Sequence, residues 1–177
     1  MAGKLLQEIH KTKPFDSLQQ EFFLNVIRTA DHFMRAFEDL LKPYNLSATQ
    51  YNVLRILRGH CCEETVLKGE AGNPIATGGG GSGGGGIPCK AIGEHMITRD
   101  PDITRLLDRL EARSMIARQR DTRDRRVVST RITAEGLRVL KELDKPVQDF
   151  HRIKLAHVPE NKLAQLIDLL ELMREGP

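Results

Sequence analysis

The chain has 177 residues, 40% of them apolar and 29% charged, a balance that suits one globular domain with or without arms. Its longest apolar run is only a few residues, so no membrane helix is expected. The opening segment MAGKLLQEIHKTKPF lacks the apolar core of a signal peptide, and the cytoplasm is therefore the expected compartment.

In chain order, residues 16–42 carry apolar side chains at Leu18, Phe22, Val26, Phe33, Phe37 and Leu40. A second row runs through Phe23, Ile27, Ala30, Met34 and Leu41. The spacing predicts a helix, started by Asp16 or Ser17 and ended by Pro43. Its stripe is wide enough to predict burial on two sides, against the domain's own core and against something else. LSATQYNVLRILRG predicts a second helix over 47–58. Ser47 and Gln50 form a capping box, Leu46 can staple to Tyr51, and Tyr51, Val53, Leu54 and Leu57 form the inner face. Gly59 is the expected stop.

Residues 60–87 show no period, and eight glycines flank Ser82. Such a stretch buries too little surface to offset the entropy of ordering it, which predicts a flexible insert. It looks as much like an engineered linker as a natural insert. It contains no phosphate-binding G-x-x-x-x-G-K run.

PCKAIGEHM then predicts a short helix beginning at Pro88, ITRD a connector, and PDITRLLDRLEARSM a second helix. Asp100 is the expected cap, Pro101 the first helical residue, and Asp102 a first-turn acid. Ile103, Leu106, Leu107 and Leu110 face inward, while Asp102, Arg105 and Arg109 share another face. IARQR and RVVSTRI predict two strands, with Ile116, Val127, Val128 and Ile132 as their apolar members and the polar turn DTRD between them. Residues 99–131 hold ten arginines and six carboxylates, a net of +4 against +3 for the whole chain. An all-arginine excess marks a phosphate-facing surface, because guanidinium presents a planar fork of donors.

Two short helices, a brief connector and a basic hairpin predict a winged helix-turn-helix. The second helix is the groove reader and the hairpin the wing. Ile87 is the apolar residue placed to form a short strand against that wing. The candidate DNA-binding residues are Thr98, Arg99, Pro101, Asp102, Thr104 and Arg105 around the reading helix, with Arg123, Arg125 and Arg126 at the hairpin tip. Asp108, Asp121 and Asp124 are expected to support the wing, Asp108 through a salt bridge to a wing arginine.

Thr133 caps the next helix, whose inner face is Leu137, Leu140 and Leu143 and which Pro146 is expected to kink or interrupt. Pro159 opens a last helix with Leu163, Leu166, Ile167, Leu170 and Met173 in a stripe. Nothing follows for that stripe to pack on. Together with the surplus on the first helix it predicts a homodimer built by residues 16–42 with 146–175. Residues 47–136 are then the DNA-binding domain, interrupted by the flexible insert at 60–87.

These segments resemble the MarR family of dimeric winged-helix regulators. The most specific element is Asp121, Arg123, Asp124, Arg125, Arg126, Thr133 and Gly136, with TRLLDRLE just upstream. The resemblance covers roughly residues 18–175 except 60–87. It implies a mainly α fold with a small β-hairpin wing, dimerising through its N- and C-terminal helices. It implies that Arg125 enters the minor groove of double-stranded DNA while the reading helix enters the major groove. It further implies a repressor of a pseudo-palindromic operator, released by a small ligand or other signal. A small phenolic or aromatic effector would sit between the helix at 16–42, the helix at 47–58 and the helix after Thr133. The chain departs from the family pattern in its long connection before PCKAIGEHM, and in Ser114 where a glycine is usual.

Enzyme chemistry finds little support. The six histidines form no H-x-H or H-E-x-x-H pattern, and no catalytic residue, cofactor or metal is expected. Cys61, Cys62 and Cys89 keep open a redox-sensing regulator of the same fold. A winged-helix module that binds protein is the other alternative, against which the arginine-rich segment argues.

Overall fold

The structure is a computed structural model that describes residues 4–66, 86–98, 101–120 and 128–175, with the backbone alone for 62–66. Helix α1 (Lys4–Glu8) is a short element that periodicity did not suggest. Leu5 is buried, and Glu8 lies 3.7 Å from Arg28 on the following helix. Helix α2 (Leu18–Leu41) starts at Ser17, whose Oγ accepts the Gln20 N–H at 3.1 Å. Gln20 Oε1 in turn accepts the Asp16 N–H at 2.8 Å, so both candidate caps take part. The helix tightens into one 3-10 turn (Lys42–Tyr44) at Pro43, and Asn45 reverses the chain in the left-handed region with φ of 52°. Asn tolerates that conformation through its short polar side chain.

Helix α3 (Ala48–Val66) opens with the expected capping box: Ser47 Oγ accepts the Gln50 N–H at 3.1 Å, and Gln50 Oε1 accepts the Ser47 N–H at 3.0 Å. It does not stop at Gly59. A glycine within a helix costs about 1 kcal/mol relative to alanine, which is too little to end a helix whose next residues still find helical partners. The His60 ring donates from Nδ1 to the Ile56 carbonyl at 2.9 Å across that point. The first seven residues of the expected insert, 60–66, are therefore helical. The glycine run lies outside the described residues, apart from Gly86.

Strand β1 (Ile87–Pro88) leads into helix α4 (Cys89–His95), with Pro88 before the helix instead of inside it. Helix α5 (Ile103–Ala112) is capped by Asp102, whose carboxylate accepts the Arg105 N–H at 3.4 Å. That replaces the expected cap at Asp100, which lies outside the described residues, and leaves Pro101 ahead of the helix. Strands β2 (Ile116–Arg120) and β3 (Val128–Ile132) form the hairpin. All pairings are antiparallel in the order β1-β3-β2, with Ile87 opposite Thr130 and Arg118 opposite Thr130 on the other side. Ile87 thus forms the strand expected of it. Gly86 lies so close to β3 that a Cβ there would sit 3.1 Å from the Thr130 carbonyl oxygen.

Helix α6 (Ala134–Leu155) begins at Thr133, whose Oγ1 accepts the Gly136 N–H at 3.2 Å. It continues through Pro146 without interruption. Proline removes one backbone hydrogen bond, but Leu143 and Val147 are buried on either side of it and hold the helix against the core. Helix α7 (Glu160–Glu175) starts after Pro159, whose carbonyl accepts the Lys162 N–H at 2.9 Å.

One core joins these elements: Leu54, Leu57, Ile92, Leu107, Leu110, Ile116, Leu140 and Leu143 are all essentially inaccessible. Each such side chain contributes about 1.5–3 kcal/mol by leaving water. The long terminal helices lie differently. Helix α7 buries no residue, and Leu166, Ile167, Leu170 and Met173 are exposed. On α2, Leu18, Phe22, Phe23, Val26 and Ile27 are exposed as well, while Phe37 and Leu40 reach the core. Among the described residues no helix is long and apolar enough to cross a membrane.

Candidate nucleic-acid interface

Helix α5, the expected groove reader, is positioned from below by its own apolar face. Leu106, Leu107 and Leu110 are buried, and the opposite face presents Thr104, Arg105 and Arg109 to solvent. Thr98 and Pro101, in the turn that precedes α5, are exposed too. Arg105 reaches back to Asp102 at 3.2 Å, an exposed pair across one helical turn. Asp102 therefore serves the helix backbone and steadies the arginine beside it. Arg99, the tip residues Arg123, Arg125 and Arg126, and the expected supports Asp121 and Asp124 lie outside the described residues.

Strand β2 of the hairpin is fastened to α5 by Arg118. Its Nη2 lies 2.6 Å from Asp108 Oδ1, and its Nε donates to Glu111 Oε2 at 2.8 Å. The Arg118 backbone N–H also donates to Glu111, at 3.2 Å. Hydrogen bonding from Arg118 holds the Glu111 carboxyl below the usual carboxylate range, and Glu111 in turn raises Arg118. Asp108 thus pairs with a strand arginine, and Glu111, which sequence reasoning passed over, is the stronger partner. Asp108 and Glu111 share one face of α5 at i, i+3, a signal present in the sequence. Their distance to Arg118 depends on the reversal at Ser114 and does not show in spacing.

Two more fastenings escaped the sequence. Arg113, at the end of α5, donates to the carbonyls of Tyr44 at 2.8 Å and Asn45 at 2.5 Å, tying α5 to the turn between α2 and α3. Arg58 holds Asp144 through both carboxylate oxygens, at 2.8 and 3.0 Å, tying α3 to α6.

In the region expected to hold an effector, Phe37 of α2 meets Tyr51 of α3 and Phe150 and His151 of α6, at ring separations of 5.5, 5.4 and 6.4 Å. Burial pushes the Tyr51 phenol up, and the nearby Arg55 and Arg58 partly offset this. A separate groove of about 750 Å³ is lined by Glu38, Lys42, Gln50, Arg109 and Arg113, and so adjoins α5 and not α6. Cys61 and Cys89 are half-buried free thiols packed against the core, and the Cys62 side chain lies outside the described residues.

The sequence profile of the MarR family matches residues 84–128, from the end of the glycine run through β2 to the start of β3. The fold is also that of a MarR transcription factor from Planctomyces limnophilus. Identity to it is 36%, the match covers 89% of this chain and 98% of that one, and the TM-score is 0.59. The chain belongs to the MarR family. MarR proteins are transcription regulators and not enzymes, and this chain is a MarR-family transcriptional regulator with a winged-helix fold. Two more distant MarR-like folds are BpsR from Bordetella bronchiseptica, at 16% identity, and MepR from S. aureus, at 17%. BpsR matches over 93% of this chain and 100% of its own with a TM-score of 0.70, and its DNA binding is regulated by 6-hydroxynicotinic acid. MepR matches over 86% and 96% with a TM-score of 0.67, and its structure is of a DNA complex. No curated protein sequence matches the chain.

Proposed function

We propose that this MarR-family regulator is a dimeric repressor that binds a pseudo-palindromic operator and is released by a small aromatic effector. The observation that carries the reading is the Arg118–Asp108–Glu111 junction, which ties the reading helix to the first strand of the wing. Helix α5 then enters the major groove, with Thr98, Arg99, Pro101, Asp102, Thr104 and Arg105 at its leading end. The wing delivers Arg125 to the minor groove, where narrow A·T tracts attract arginine, and Arg123 and Arg126 serve the phosphates. Asp121 and Asp124 fix the turn that presents them. The DNA-bound MepR supports this arrangement by its fold.

Dimerisation falls to residues 16–42 with 146–175. Among the described residues nothing covers the exposed apolar stripes of α2 and α7, and a two-fold partner offering the same faces would cover both. The effector occupies the junction of α2, α3 and α6, where Phe37, Phe150 and His151 supply ring faces and the Tyr51 hydroxyl and Arg55 supply polarity. BpsR, which answers to an aromatic acid, supports this class of ligand.

Sequencing genomic DNA captured by the purified chain tests the reading. A dyad motif with half-sites about one turn, roughly 34 Å, apart is expected. Capture of DNA without a shared motif would refute an operator.

A further inference from the structure

His60 and His95 come from different helices and are 35 positions apart in the sequence. The fold brings their rings to a centroid separation of 5.3 Å with the planes inclined at 57°. Two imidazoles bound to one tetrahedral ion at nitrogen distances of about 2.0–2.1 Å have centroids about 5.2 Å apart. The pair therefore already stands at the spacing that a shared ion needs.

The hydrogen bonding of His60 points the same way. Its Nδ1 lies 2.9 Å from the Ile56 carbonyl, which can only accept, so Nδ1 carries the proton. The neutral ring then has its lone pair on Nε2. A backbone carbonyl that fixes the tautomer is the usual outer partner of a metal-binding histidine. His60 is half-buried on α3 and held in place by this contact, while His95 is exposed at the last position of α4.

We propose that His60 and His95 form a two-histidine site for a divalent transition-metal ion of the class that imidazole prefers, such as Ni²⁺, Cu²⁺ or Zn²⁺. Among the described residues no group of three His, Cys, Asp or Glu can hold an ion, so the two imidazoles are the protein ligands that those residues offer. Bound there, the ion clamps α3 to the end of α4, immediately before the turn that leads to α5. It stabilises the helix-turn-helix by binding the folded chain and not the unfolded one.

The test uses the full chain stripped of metal by a chelator and titrated with Ni²⁺ by calorimetry. The expected result is one ion per chain in the micromolar range, with the melting temperature raised by the ion. His95→Gln and His60→Ala should each weaken binding at least tenfold and abolish the rise. His157→Ala, Cys61→Ala and Cys89→Ala should leave both unchanged. His95 is exposed, so His95→Gln keeps the fold even if His60→Ala does not. Unchanged Ni²⁺ affinity in His95→Gln would overturn the site. So would a thiolate-to-cobalt charge-transfer band on Co²⁺ addition that disappears in Cys61→Ala, because the ion would then sit on sulfur.

Discussion

Gly136 packs directly against the carbonyl oxygen of Met115, so closely that a Cβ at position 136 would overlap that oxygen and crowd Cγ1 of Ile132. The same corner is closed by Thr133, whose hydroxyl donates to the Ser114 carbonyl at 2.6 Å while accepting from Gly136 N–H. The spacing T-x-x-G thus has a mechanical reason. The threonine caps α6 and ties it to the end of α5, and the glycine lets the first turn of α6 lie on the backbone between α5 and β2.

Gly136→Ala should accordingly destabilise the fold by about 3 kcal/mol or more, since the clash is with backbone that cannot rotate away. Gly59→Ala is the matched control. Nothing lies within 4 Å of a Cβ there, and Gly59 is inside α3. It should stabilise by about 0.5–1 kcal/mol. Denaturant melts of both variants read the difference directly.

Ser114 holds φ of 54°, a left-handed conformation that suits glycine. Ser114→Gly should stabilise by about 0.5–1 kcal/mol, the strain of a side chain in that region outweighing glycine's extra freedom when unfolded. A lower denaturation midpoint for the variant would show that the serine is not strained.

Thr130 is fully buried on β3, and among the described residues its hydroxyl is the one buried side-chain polar atom without a hydrogen-bond partner. Thr130→Val keeps the shape and removes the orphan. It should raise stability by about 1 kcal/mol. A loss of that size would mean that the hydroxyl has a partner, such as a bound water.

The Arg118 junction gives a pH signature. Arg118 depresses the Glu111 pKa in the folded chain, so the unfolded chain binds more protons in the acid range and stability rises with pH there. The contribution is complete above the ordinary carboxylate pKa of about 4.3 and fades as pH falls through the folded value. Wild type should therefore lose more stability than Glu111→Gln between neutral pH and pH of about 3. Parallel curves would deny the pairing.

The sequence made most of the fold legible because its signals are local. Ser47 with Gln50, Ser17 with Gln20, and Thr133 each start a helix where the caps stand. The hairpin followed from alternation, and Ile87 from its place before Pro88. Errors arose where packing outweighs a local breaker. Gly59 and Pro146 both sit inside helices, since the neighbouring residues hold helical partners or core contacts. At the site, the sequence singled out Asp108, which pairs with Arg118, but not Glu111 or Arg113. Their partners Arg118, Tyr44 and Asn45 are brought to them only by chain reversals that composition does not encode.

Operator binding across a salt series tests the central claim most directly, comparing wild type with Arg105→Ala, Arg125→Ala and Arg138→Ala. Arg138 is an exposed arginine on α6 already paired with Glu135 at 2.7 Å, and it serves as the control. The account predicts that Arg105→Ala and Arg125→Ala each lose about 1–3 kcal/mol of binding, and that Arg125→Ala lowers the salt slope by about one unit. Arg138→Ala should stay close to wild type. Equal losses from all three, or affinities that do not change with salt, would contradict it.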